Sequence, residues 1–144
     1  MDSIVGMKVI QATTATAGAA GTSAINGAAV DLSGWDEIMI LVPFGTIVSG
    51  AATSIKWQEG STSSPTTDVL GTSMTVADTD DDTTKCLRII KPRNRYGRVV
   101  VSRATQNATV GAIYYVLRGG STQPATDDTT VTQETHVSPA AGTA

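Results

Sequence analysis

The chain predicts an all-β fold, an antiparallel β-sandwich of the jelly-roll kind with extended arms, on three observations. Apolar or alternating runs of strand length recur along most of it, separated by Gly, Pro, Asn, Asp and Ser. No segment carries the 3.6-residue apolar repeat of a packed helix. About eight such runs suit two stacked antiparallel sheets.

Taken in order, Ile4–Ala12, with Ile4, Val5, Met7, Val9 and Ile10, reads as a first strand. Thr13–Gly27 is Thr, Ala, Gly and Ser around a lone Ile25, too poor in apolar residues for a strand, and reads as a loop or arm. Ala28–Leu32 is a short strand, turned by Ser33-Gly34 into Trp35–Phe44. There the continuous run Ile38-Met39-Ile40-Leu41-Val42 has the character of a strand covered on both faces, ended by Pro43 and Gly45. Ser54–Glu59 alternates, Ile55 and Trp57 against Lys56 and Gln58, so one face should be buried. The polar loop Gly60–Thr67 leads to a weak strand, Val69–Val76. Lys85–Ile90 and Arg98–Val101 are strands joined through Lys91-Pro92-Arg93-Asn94-Arg95, and Val110–Leu117 follows the turn Thr105-Gln106-Asn107. Residues 1–118 thus form the domain, with 13–27 as loop or arm. Beyond Arg118 the chain is almost wholly Ser, Thr, Asp, Gln, Pro, Ala and Gly, an extended tail over 119–144 that cannot bury enough apolar surface to order alone.

Composition bounds the function. With 144 residues, a net charge of −3 and four per cent aromatic residues, the chain has a modest aliphatic core. Its overall charge opposes a role in neutralising nucleic-acid phosphate. The single cysteine, Cys86, excludes an internal disulfide framework and a multi-thiolate zinc site, and its strand context reads as inert packing. Residues 1–12 lack the features of a signal peptide, and no apolar run approaches a membrane span, so neither secretion nor a membrane partner is expected.

No catalytic, cofactor or metal site is expected. Asp78-Thr79-Asp80-Asp81-Asp82 spaces carboxylates like the start of a calcium loop, but Thr83 and Ile89 stand where that loop needs glycine and glutamate, so it reads as a solvated acidic loop. His136 lies in the polar tail, no serine sits in a nucleophile elbow, and no carboxylate pair is spaced for acid–base work. Asn107-Ala108-Thr109 fits a glycosylation sequon without any sign of secretion. Six of the ten basic residues, Arg88, Lys91, Arg93, Arg95, Arg98 and Arg103, fall within sixteen positions. They could bind nucleic acid with Tyr96 stacking, face an acidic partner, or pair internally with Asp78–Asp82. Arg93, Arg95 and Arg98 are the candidate partner-binding residues.

Three segments carry a family resemblance: Val30-Asp31-Leu32-Ser33-Gly34-Trp35, Trp57-Gln58-Glu59-Gly60-Ser61, and Lys91-Pro92-Arg93-Asn94-Arg95-Tyr96-Gly97-Arg98 before a valine strand. Over residues 28–118 their order resembles the head decoration, or cement, proteins of tailed bacteriophages, and the closing Val137–Ala144 is similar to the ends of such chains. The resemblance implies a jelly-roll-like sandwich that assembles as a homotrimer on the outside of the capsid. Its partner would be the major capsid protein, with assembly in the host cytoplasm and location on the virion surface. It implies no catalytic residue. A glycan- or receptor-binding sandwich, with Trp57 or Tyr114–Tyr115 stacking on sugar, and a tail or head-completion component are the alternatives.

Overall fold

The computed structural model describes residues 6–14, 20–134 and 141–142; His136 and most of the closing segment lie outside them. Eleven strands occur among the described residues: β1 Lys8–Gln11, β2 Ile25–Asn26, β3 Val30–Asp31, β4 Glu37–Ile47, β5 Ala52–Gly60, β6 Thr67–Asp68, β7 Met74–Val76, β8 Thr84–Ile90, β9 Tyr96–Ala104, β10 Ala108–Val110 and β11 Tyr114–Arg118. All their pairings are antiparallel. No helix long and apolar enough to cross a membrane occurs among the described residues.

Three pairs of short strands are each one interrupted strand. β2 and β3 lie along the same side of β9, β6 and β7 along β5, and β10 and β11 along β4. Merging them leaves eight strands in two sheets, ordered β1, β10/β11, β4, β8 and β2/β3, β9, β5, β6/β7. In merged sequence order the first strand pairs with the eighth, the second with the seventh, the third with the sixth and the fourth with the fifth. That is one long antiparallel hairpin rolled into a sandwich, the jelly-roll arrangement.

The core lies between the sheets. Ile38, Ile40 and Val42 of β4, Ile55 and Trp57 of β5, Val99 and Val101 of β9, and Tyr115 and Leu117 of β11 are all fully buried. Trp57 meets Tyr115 edge to face at 5.9 Å between centroids, the geometry that ring quadrupoles favour. The buried Tyr115 hydroxyl accepts from Val99 N (3.1 Å) and donates to Ala28 O (3.0 Å), so its polar end is satisfied. Burial pushes its phenol well above the usual range.

Six expectations need correction. Val69–Val76 is a strand only over Met74–Val76, and Val110–Leu117 is interrupted between Val110 and Tyr114. Ile25–Asn26 is a strand, because Ile25 opposite Val101 supplies the one apolar contact that a two-residue segment needs. Ile38–Val42 is fully covered on one face and half-buried on the other, since Met39 and Leu41 point out of the sandwich. β4 continues through Pro43 to Ile47; proline sits where β10 gives way to β11, the ladder is already broken, and no donor is missed. Cys86 lies on a strand as expected, but its side chain is exposed.

Residues 119–134 form no strand. Part of this stretch lies against the chain's own domain: Gly120 N donates to Gly6 O (3.3 Å), Ser121 N to Gly34 O (2.8 Å), and Thr130 Oγ1 accepts from Gln11 N (3.0 Å). One outward amide of β1, that of Gln11, is therefore met by Thr130 of the same chain.

Candidate functional site: the Arg93 to Arg98 corner

The three segments that carry the family resemblance meet at one corner of the sandwich. β9 brings Tyr96 between Asp31 of β3 and Gly60 of β5, and Gly97 between Val30 and Glu59. Leu32 N donates to Arg95 O at 2.6 Å, closing the β3 end onto the turn.

At the centre lies a carboxylate that sequence reasoning did not single out. Glu59 is only 3% exposed, on a strand whose pattern makes this end inward-facing. Its Oε1 accepts from Trp57 Nε1 (3.1 Å), and its Oε2 accepts from Arg93 N (3.3 Å), Asn94 N (3.2 Å) and Asn94 Nδ2 (3.3 Å). One buried acceptor group thus fixes the indole and the backbone of the basic turn together. Gly97 completes the fit: a Cβ there would fall 2.1 Å from Trp57 Cζ2.

The basic residues separate into distinct environments. Arg95 holds Asp31 through Nε and Nη2, the latter at 2.8 Å, and lies over the Tyr96 ring at 5.1 Å. Arg98 Nε donates to Gln58 Oε1 (2.9 Å), Gln58 Nε2 to Asp68 Oδ1 (2.7 Å), and Lys56 Nζ pairs with Asp68 Oδ2 (2.8 Å). A polar ladder therefore crosses the outer face of this sheet. Arg88 belongs to the other sheet, paired with Glu37. Arg103, at the far end of β9, clamps Ser23 O and Ala108 O at 2.7 and 2.8 Å. Lys91 and Arg93 are exposed and form no ion pair among the described residues.

The internal pairing with Asp78–Asp82, one of the three readings of this basic cluster, is not formed among the described residues. That loop serves the other end of β4 and β5: Asp81 Oδ1 accepts from Ile47 N (2.6 Å), Asp78 Oδ2 from Gly50 N (2.8 Å), and Asp80 pairs with Lys85 (2.8 Å). Asp31 and Glu59 take the role instead, because the register of β9 with β3 and β5 places them beside the turn. Both lie inside the resemblance segments, which was the available signal.

The Arg95 hydrogen bonds hold the Asp31 carboxyl down at about 2, against an ordinary 3.8. A carboxyl lowered by folding contributes stability that is complete above the unfolded value and lost as pH falls through the folded one, here from about 4 towards 2. Arg95→Gln is therefore expected to lower the melting temperature slightly at neutral pH, the pair being exposed. The gap from wild type should close between pH 4 and pH 2. Calorimetry across that range checks it; a gap that persists at pH 2 would assign the effect to the Tyr96 stacking.

No protein-family model and no curated protein matches this chain. Among solved structures it is similar to a chain of the infectious bursal disease virus Gx strain, with a TM-score of 0.46 and 10% identity, over 82% of this chain and 34% of that one. This chain thus spans about a third of the length of that viral chain.

Proposed function

We propose that this chain is a structural virion protein, a homotrimeric decoration or cement protein on the outside of a bacteriophage capsid. It bridges adjacent copies of the major capsid protein, adding buried interface to a shell under the pressure of packaged DNA, and it catalyses no reaction. The observation that carries this reading is the corner itself. The segments resembling that family, far apart in sequence, close into one hydrogen-bonded unit that holds the turn rigidly and leaves Lys91 and Arg93 exposed and without an ion pair among the described residues.

Rigid presentation of an unneutralised cation suits contact with an acidic protein surface, since little is lost in ordering it. Arg93 is the principal contact in this reading. Arg95 and Arg98 contribute more weakly, because Asp31 and Gln58 already occupy their guanidinium groups. The sugar-binding alternative has less to draw on: Trp57 and Tyr115 are fully buried, and Tyr114 is 37% exposed.

The test is occupancy on purified capsids, with the free protein's mass from sedimentation. Wild type should give density on the capsid exterior and, in dilute solution, a trimeric mass. Arg93→Glu should reduce occupancy about tenfold or more without changing the melting temperature, and wild-type binding should weaken with salt. Absence from capsids would overturn the capsid role, and wild-type occupancy by Arg93→Glu at low salt would remove the corner from the contact.

A further inference from the structure

The four sheet edges are treated differently. That of β1 is four residues long and is met at Gln11 N by Thr130 of the same chain, and those of β2/β3 and β6/β7 are broken into pieces of two or three residues. β8 presents seven continuous residues, Thr84–Ile90, paired with β4 alone. Phe44 N bonds Thr83 O and Lys91 N bonds Asp36 O, so odd-numbered residues along β8 direct their backbone groups to β4. The amides and carbonyls of Thr84, Cys86, Arg88 and Ile90 consequently point to the open side, where no backbone partner meets them among the described residues.

Edges of this kind are ordinarily blunted by proline, bulges or charge. β8 has neither proline nor bulge. Its two cations are already neutralised within the chain, Lys85 by Asp80 and Arg88 by Glu37. Ile90 stands 61% exposed beside them, and Met39 and Leu41 lie half-buried on the same outer face.

We infer that β8 is a docking edge for a second copy of this chain, paired antiparallel with its own β8 about a two-fold axis through Leu87. The segment is self-complementary in this register. Thr84 lies opposite Ile90 of the second copy and Cys86 opposite Arg88, so all four outward residues on each strand find backbone partners. Lys85 faces Ile89, and no like charges are opposed. A shift by two residues one way sets Arg88 against Arg88; the other way leaves Ile90 unpaired. This contact goes beyond the three-fold association above and joins such units in pairs. It does not rest on the capsid reading.

Cys86 is the chain's single cysteine, so it reports the register directly. The two Cys86 side chains fall on one face as diagonal neighbours, about 8 Å apart. A short bis-maleimide of that span should link wild-type chains covalently in pairs. Cys86→Lys places a cation opposite Arg88 twice by symmetry and should weaken the association about tenfold or more, while Cys86→Glu should preserve it. Sedimentation up to about 1 mM should then give wild type twice the mass of the Cys86→Lys unit. Equal masses for wild type and Cys86→Lys, equal loss in Cys86→Lys and Cys86→Glu, or paired mass without cross-linked pairs would each overturn the inference. Circular dichroism confirms that the variants fold, and the capsid occupancy of Arg93→Glu is unaffected by any of these outcomes.

Discussion

Gly97→Ala is expected to lower the melting temperature by about 10 °C, with a stability loss of about 2–3 kcal/mol. The added methyl would stand 2.1 Å from Trp57 Cζ2 and 2.8 Å from Cε2, inside the carbon radii. Trp57 is fully buried and anchored at both ends, by Tyr115 against its ring and by Glu59 at its Nε1, so the indole has nowhere to retreat. Strand β9 cannot yield either, because it is paired on both sides, to β5 and to β2/β3. A thermal melt of the single variant measures the cost, and a double-mutant cycle assigns it. In a Trp57→Leu background the same alanine should cost far less, since the contacting ring is gone; additive losses would mean that the clash is not the cause.

That pairing of Gly97 with Trp57 shows where the sequence was legible and where it was not. Alternation of Ile55 and Trp57 with Lys56 and Gln58 indicates a half-buried strand, and β5 buries Ile55 and Trp57 completely. The same local logic placed β8 and β9, because each has enough residues to express a period, but it ran Val110–Leu117 as one strand where the structure has β10 and β11 with a break at 111–113. β2 and β6 have two residues each, too few for any pattern, and exist because β9 and β5 offer them an edge. The Met39 and Leu41 side of β4 was read as covered because its outward residues are apolar, a choice that residues alone cannot separate from burial. The corner was legible only as three separate motifs. Its chemistry depends on register, which brings Asp31 and Glu59 beside a turn 34 to 64 residues away along the chain.

Substitution of Glu59 should be felt twice, in stability and in attachment. Every group that meets its carboxylate is a donor: Trp57 Nε1, the amides of Arg93 and Asn94, and Asn94 Nδ2. Glu59→Ala removes the shared acceptor and leaves several polar hydrogens unmatched in a buried site, a loss of about 3 kcal/mol or more. Glu59→Gln keeps the volume but turns one acceptor into a donor, so either the indole or the turn must face N–H against N–H. It should therefore lose about 1–3 kcal/mol, where a site that needed only size would lose nothing. Because the turn hangs on this carboxylate, Glu59→Gln should also loosen Arg93 and reduce capsid occupancy at temperatures where the domain remains folded. Melting curves and occupancy measured on the same preparation separate the two effects. A lowered melting temperature with wild-type occupancy would show that the turn binds nothing, or that it keeps its shape without Glu59; hydrogen exchange at the Arg93 and Asn94 amides distinguishes these, since a turn that keeps its shape retains their protection and needs Arg93 for binding, whereas a turn that binds nothing loses their protection while Arg93→Glu still binds.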